Sequence, residues 1–502
     1  MSIEYPEIPQ ALPLDDKPVL PRRINLPSID PALEERVCGQ IRSHLLYEPT
    51  PGQSAFIRSF GRFAADPEPG IFLLRGYAGT GKTTMMAALT GSFRNIVLLA
   101  PTGRAAKVLS LHTGRPAFTI HKHLYRPVPT SDGRTMLVVT DNPFQRCLFI
   151  VDEASMIPDA AIEDTDSPFP GVNLLSDLVR YVFSGMGCRL MLVGDTAQLP
   201  PVHFENSPAL DADHLRHRFG KKVYRAELTD VVRQQAQSAI LVNATRLRDQ
   251  ILRENDHSFP AITEAPDVKR IPVNELPECL EQAYREHGRE NVIVVTRSNR
   301  SANQYNRMIR FQTLWMEDEI GGGDRLMVVR NNYFWLPKDH AAGFIANGDM
   351  LEVHKIVRFE ERFGFRFAMA SFSYSDLPDE PAFEAMILLD TLTGETPAMT
   401  KQDRDRLLEA LHEAYEEEEP DRRRRSGLIK KDPYFQALQV KFAYAITCHK
   451  AQGGQWPVVF VDQGYLTEEM LGREFYRWLY TALTRSSAQL FLLNFNDRFF
   501  PI

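Results

Sequence analysis

The run Gly76-Tyr77-Ala78-Gly79-Thr80-Gly81-Lys82-Thr83 has the residue types that hold a polyphosphate. Its glycines let the backbone curl so that successive N–H groups face phosphate oxygens, and a helix opening at Lys82 adds positive potential. The lysine reaches the outer phosphates and the hydroxyl ligates Mg²⁺. The apolar run IFLLR precedes it and KTTMMAALTGSF follows it, so strand, loop and helix are expected in that order. In CLFIVDEASM, Asp152 and Glu153 end a second apolar run. An acid at a strand tip beside a phosphate loop can hold Mg²⁺ through water, and its neighbour can orient or deprotonate an attacking water. Such a pair can also cap a helix; with Lys82 upstream in the same unit, nucleoside triphosphate hydrolysis is the expected chemistry. A third run, MLVGDTAQLPPV, ends in Gly194-Asp195 and offers Gln198 before Leu199-Pro200-Pro201. A glutamine there can sense an intact γ-phosphate and pass the difference to the next loop, although Pro-Pro can also merely stiffen a connection.

These groups need strands to carry them. IFLLRG, NIVLLAP, RCLFIVDE and CRLMLVGD are short apolar runs that each end at a polar or glycine-rich turn, the pattern of a parallel sheet buried on both faces. In open α/β sheets ligands bind at the carboxyl ends of the strands. ENVIVVTRSN, PVVFVDQG and QLFLLNF predict a second α/β unit. Between the units, DRLMVVRNNYFWL, FIANGDMLEVHKIVRFE, ERFGFRFAMASFSY and EAMILLD predict a small antiparallel barrel, with Asn347-Gly348 as a hairpin turn. KQDRDRLLEALHEAYEEEEPDRRRRS predicts a helix with Leu407, Leu408, Leu411, Ala414 and Tyr415 on one face, read as a solvated insertion. LYRPVPTSDGRTMLVVTDNPFQR predicts a short hairpin turning at Asp132-Gly133, and the proline-rich start reads as an extended arm.

Composition bounds the rest. A chain of 502 residues predicts about two to four packed units. With 43% hydrophobic and 25% charged residues, wholesale disorder, collagen and coiled coil are excluded. A formal charge of -7 means that a polyanion must be held by local basic patches. The five cysteines, Cys38, Cys147, Cys188, Cys279 and Cys448, form no CxxC pair, which excludes a zinc cluster and a disulfide scaffold and fits a reducing compartment. No secretory start and no apolar run of about 18 residues is present, so a cytoplasmic protein without a membrane partner is expected.

Gln53 in TPGQSAF, then GYAGTGKT, APTGRAA, TIHKHLY, VDEASM, LVGDTAQLPPV, LTDVVRQ, VTRSNRSANQYN, AITCHKAQGGQW and LYTALTRS occur in the order of the superfamily 1B DNA helicases. The set resembles the RecD-like and phage Dda-like group, over roughly residues 46–330 and 436–502. The resemblance implies an α/β fold with two RecA-like P-loop motor domains, a small β-hairpin pin and an SH3-like β-barrel insertion. The expected boundaries are 1–45 for the arm and leading helix, 46–230 for the first motor domain with its pin near 124–147, 231–330 with 436–502 for the second, and 331–435 for the barrel.

By the same resemblance, Gln53 would read adenine, making ATP the nucleotide. Gly76, Ala78, Gly79, Thr80, Gly81, Lys82, Thr83, Thr84 and Gly453 would surround it, with Thr83 and Asp152 on Mg²⁺. Glu153 would be the catalytic base and Gln198 the γ-phosphate contact, with Arg233 and Arg485 closing over it from the second unit. Pro101, Thr102, His121, Thr447, His449 and Lys450 would line a groove for single-stranded DNA. The implied function is ATP-driven translocation, 5′ to 3′, with unwinding at a duplex junction in repair, recombination or replication. Single-strand-binding or recombination proteins are the protein partners to expect. The alternative is an ATPase subunit of a larger recombination complex without unwinding activity of its own. Intact Lys82, Glu153, Arg233 and Arg485 argue against a dead motor, no segment has the acid-and-lysine pattern of a nuclease, and the lack of a long N-terminal domain suggests a free-standing enzyme.

Overall fold

The computed structural model describes residues 30–129, 135–160, 172–231, 238–253, 257–337, 340, 342, 344–375, 380–396 and 398–501. The proline-rich start, the expected turn at Asp132-Gly133 and Arg233 lie outside them.

Strands without a polar face must be covered on both sides, and β1 (Ile71–Gly76) shows how. Ile71 and Leu73 enter one hydrophobic core, while Phe72 and Leu74 enter another on the opposite face, as the two-residue period of a strand dictates. The other strands of this sheet are β2 (Ile96–Ala100), β3 (Ala117–Thr119), β6 (Leu148–Val151), β7 (Arg189–Gly194) and β8 (Val223–Leu228). They run parallel in the order β3-β2-β6-β7-β1-β8. The tips of β6, β7 and β1 are therefore neighbours, although β1 and β6 are far apart in the chain. A hairpin of β4 (Tyr125–Pro129) and β5 (Thr135–Val139) stands apart from this sheet, paired from Tyr125↔Val139 to Pro129↔Thr135.

The second unit has five parallel strands in the order β16-β10-β17-β18-β9. They are β9 (Val268–Ile271), β10 (Val292–Thr296), β16 (Ala445–Thr447), β17 (Trp456–Asp462) and β18 (Ser486–Leu493). The barrel is inserted between β10 and β16 and closes from five strands: β11 (Arg325–Val328), β12 (Met350–Arg362), β13 (Phe365–Tyr374), β14 (Phe383–Leu388) and β15 (Leu438–Phe442).

Three expectations about the barrel change. Its first and last strands fall on either side of 331–435, because Leu326 pairs with Phe442 to close it. The tight hairpin turns at Phe363-Gly364, with φ of 57° and 73°, rather than at Asn347-Gly348. Phenylalanine rarely adopts positive φ, so the pattern does not announce this turn; here the ring packs edge-on against Tyr434. Asn347-Gly348 instead ends the long connection into β12, where Ala346 N–H donates to Asp349 Oδ2 at 2.7 Å. Finally, the insertion is not merely solvated. Leu407 and Leu411 of helix Lys401–Ala414 and Ile429 of helix Arg422–Ile429 form a core with Phe365, Phe367, Met386 and Leu388 of the barrel. Arg425 is 6% exposed and donates to the carbonyls of His412, Glu419 and Pro420. The long helical connection also lets β14 and β15 pair in parallel, which a tight turn forbids.

The barrel and second sheet share one core, in which Val292 and Phe460 cluster with Leu326 and Phe372. At their junction Arg310 grips Asp324 with two hydrogen bonds, 2.8 and 2.9 Å. Asp324, 0% exposed, also accepts from Gly321 N–H and Tyr444 OH. Arg310→Ala leaves this carboxylate buried without its cation, and should cost about 3–5 kcal/mol. A lowered denaturant midpoint for the barrel-containing unit is the expected result; a midpoint equal to wild type would show that the pair contributes nothing. Among the described residues no helix is long and apolar enough to cross a membrane.

Candidate nucleotide and DNA site

The loop after β1 is shaped by Gly79 and Gly81, at φ of 72° and 87°, a region only glycine visits without strain. Gly81 then leads into helix Lys82–Ser92, whose first residues are Lys82, Thr83 and Thr84. Gly76 is needed for a different reason: a Cβ there would sit 2.9 Å from Lys82 Cγ and 3.0 Å from Thr80 Oγ1. Lys82 Nζ folds back onto the carbonyls of Gly76 and Tyr77, at 2.7 and 3.0 Å, so the cation rests on the loop itself.

Acids from the neighbouring strand tips act on the same site, and Asp152 and Asp195 both feel the charge of Lys82. Asp152 follows β6, and burial together with the adjacent Glu153 raises its pKa to about 7, while the Lys82 charge opposes the shift. Glu153 has φ of 50°, a conformation that a non-glycine residue holds at a cost. Its N–H donates to Asp152 Oδ1 at 2.9 Å. Asp195 follows β7; burial pushes it up, and Lys82 and a hydrogen bond from Tyr480 pull it down. Next to it Gln198 is 5% exposed, and its Oε1 has no hydrogen-bond partner among the described residues. A buried acceptor of this kind calls for a ligand or water. The donor set therefore fits Mg²⁺ with a nucleoside triphosphate: backbone amides and Lys82 for phosphates, Thr83 and Asp152 for the metal.

Gln53 lies at the start of helix Pro51–Ala65, locked by a capping box with Thr50. Its Oε1 accepts from Thr50 N–H at 3.1 Å and its Nε2 donates to Thr80 O at 3.5 Å. The amide is thus oriented, tied to the phosphate loop and left with a second N–H. Arg485, 5% exposed, is engaged within its own unit: it donates to Thr481 O, Gly454 O and Thr484 Oγ1. Gly453, expected at the nucleotide, packs on the seam between the units. At φ of 72°, a Cβ on it would meet Ala105 Cβ at 2.7 Å and Thr102 Oγ1 at 3.3 Å.

Of the expected strand-binding residues, Thr102 lies on that seam. Pro101 and Thr102 follow β2, and Thr102 caps helix Gly103–Thr113 by accepting from Ala105 N–H at 3.2 Å. His121 stands in helix Ile120–Leu124, where burial lowers its pKa to about 4, so its neutral ring can stack or share a proton but brings no charge. From the second unit come Thr447, His449 and Lys450, around helix Cys448–Ala451. Burial lowers the pKa of Lys450 to about 8, with Lys441 nearby adding to the shift. Lys450 donates to Asn347 Oδ1 of the barrel insertion at 2.7 Å, and Lys122 to Ala342 O at 2.9 Å, so the insertion reaches both α/β units.

The family described as an AAA domain matches residues 50–259, and that described as a UvrD-like helicase C-terminal domain matches residues 442–493. The ATP-dependent RecD2 DNA helicase of Deinococcus radiodurans is 34% identical over 34% of this chain and 21% of its own length. The ATP-dependent DNA helicase Dda of enterobacteria phage T4 is 30% identical over 32% of this chain and 35% of its own. These matches support a superfamily 1B helicase, the group that the order of the motifs resembles. The match spans about a fifth to a third of the length of these two helicases. A Pif1 helicase from Bacteroides, solved with ADP-AlF3 and single-stranded DNA, superposes with a TM-score of 0.45 at 14% identity, covering 91% of this chain and 95% of that one.

Contacts between the two α/β units were missed in the sequence. Leu199 is held at both ends by the second unit: its N–H donates to Thr481 Oγ1 at 3.0 Å and its carbonyl accepts from Gln452 Nε2 at 2.9 Å. Arg477 donates to Glu205 O and to Asn206 Oδ1, and Tyr480 OH donates to Asp195. These residues stand inside or beside runs already singled out, AITCHKAQGGQW and LYTALTRS. The available signal was that polar side chains recur on an otherwise apolar helix, Arg473–Leu483.

Proposed function

We propose that this protein is a DNA helicase that couples ATP hydrolysis to 5′-to-3′ movement along single-stranded DNA and separates a duplex ahead of it. The observation that carries this reading is the grip of Thr481 and Gln452 on Leu199, next to Gln198. The loop poised to meet a γ-phosphate is thereby tied to the other parallel sheet, so a change at the nucleotide can shift one unit against the other.

In this reading Lys82 and the amides of Gly79 to Thr83 hold the phosphates, Gln53 faces the base, and Thr83 and Asp152 hold Mg²⁺. The metal would neutralise charge on the transferring phosphoryl group. Glu153 orients and deprotonates the attacking water. Arg485, released from its present acceptors, and Arg233 would complete the site on closure. Thr102, His121, Thr447, His449 and Lys450 hold the backbone and stack bases without reading sequence, and the β4/β5 hairpin acts as the pin. Single-strand-binding or recombination proteins are the partners implied.

The test is strand separation with ATP and Mg²⁺ on duplexes carrying a 5′ or a 3′ single-stranded tail, with Lys82→Ala as control. Unwinding from the 5′ tail alone is expected. Unwinding from the 3′ tail would reverse the polarity, and DNA-stimulated hydrolysis without unwinding would favour a translocase or a subunit of a larger complex.

A further inference from the structure

Tyr480 ties the phosphate loop to the second motor unit through a single hydroxyl. It lies on helix Arg473–Leu483 and is 1% exposed. Its oxygen accepts from Ala78 N–H at 2.9 Å and donates to Asp195 Oδ2 at 2.6 Å. A phenol can do both at once, having one proton to give and lone pairs to accept. Burial and the Asp195 charge hold it un-ionised. Ala78 follows β1 and Asp195 follows β7, so the hydroxyl spans two adjacent strand tips of the first sheet from a helix of the second.

We infer that Tyr480 is the positioning residue that transmits filling of the phosphate loop to the second motor unit, an inference that rests on the ATP reading above. With the loop in its present state, Lys82 lies on the carbonyls of Gly76 and Tyr77. Phosphate oxygens draw the lysine and the loop amides toward themselves, which changes how Ala78 stands relative to Asp195. The hydroxyl joined to both must follow or release one of them, and its helix is stiff and packed in the core of the second unit. That helix leads into Arg485, which is anchored to its last turn by donation to Thr481 O at 3.0 Å. The residue that touches the loop and the arginine expected over the γ-phosphate are thus joined by less than two turns of helix.

Tyr480→Phe removes the oxygen and keeps the ring. The full-length variant and wild type are compared by hydrogen exchange with Mg²⁺ and a non-hydrolysable ATP analogue, and by steady-state ATPase kinetics with single-stranded DNA. In wild type, peptides from the phosphate loop and from helix Arg473–Leu483 should both change on adding nucleotide. In the variant the loop should respond as before while the helix no longer does; KM for ATP stays within about twofold and kcat falls by about tenfold or more. A helix response equal to wild type would overturn the role of Tyr480 alone. Loss of the loop response in the variant would make Tyr480 a binding residue and overturn the positioning role. A wild-type loop that ignores nucleotide would sink the ATP reading itself, and this proposal with it.

Discussion

Lys82→Ala should abolish ATP turnover, a fall in kcat/KM of about 10²–10³-fold or more, the range expected when one preorganised charge is withdrawn from a phosphoryl-transfer site. The circular dichroism spectrum should not change. Among the described residues the ammonium hydrogen-bonds only to loop carbonyls, those of Gly76 and Tyr77, so truncation removes no core packing. What it does remove is the positive charge that favours ionised Asp152 and Asp195. Phosphates approaching the variant would meet the carboxylates without that counter-charge. Wild-type hydrolysis by a folded Lys82→Ala protein would rule out this loop as the nucleotide site.

Glu153→Gln should separate binding from chemistry. The amide has the shape of the carboxylate and can hydrogen-bond to water, but it cannot take a proton, and a positioned general base contributes about 10²–10⁴-fold. Nucleotide affinity, measured with a fluorescent ATP analogue, should stay near wild type, while single-turnover hydrolysis falls within that range. The backbone of residue 153 supports the assignment: φ of 50° is an unusual conformation for glutamate, and such outliers are retained where the surroundings impose them. A rate within about threefold of wild type would remove Glu153 from the chemistry and leave it as the residue that leads into the short turn Ala154–Met156.

Much of the site was legible because its determinants are local. Gly79 and Gly81 need positive φ, Lys82 must follow them, and a strand must precede them, all within one short run. The strand tips carrying Asp152 and Asp195 were legible too, since continuous apolar runs ending in acids have few other readings. The barrel was harder. Its strands were visible, but closure through Leu326↔Phe442 joins residues far apart in the chain. The turn at Phe363-Gly364 depends on a contact with Tyr434 that the turn residues do not encode. The insertion looked solvated because its charged residues outnumber the few leucines that reach the barrel core.

The sequence by itself determined that a glycine-rich loop and the acids Asp152, Glu153 and Asp195 follow buried parallel strands, and that the motifs come in an order that resembles the helicases. Periodicity and backbone preference act over a few residues, so these features survive being read one segment at a time. Only the tertiary structure decided how the two motor units meet. Ala78 and Tyr480 are 402 residues apart and Leu199 and Thr481 are 282 apart. Hydrogen bonds over such separations depend on where two sheets and a shared core set the strand tips, and no local pattern carries that information. The same holds for Gly453: its motif was plain in the sequence, yet the packing of the second unit against the first decides which atoms it faces.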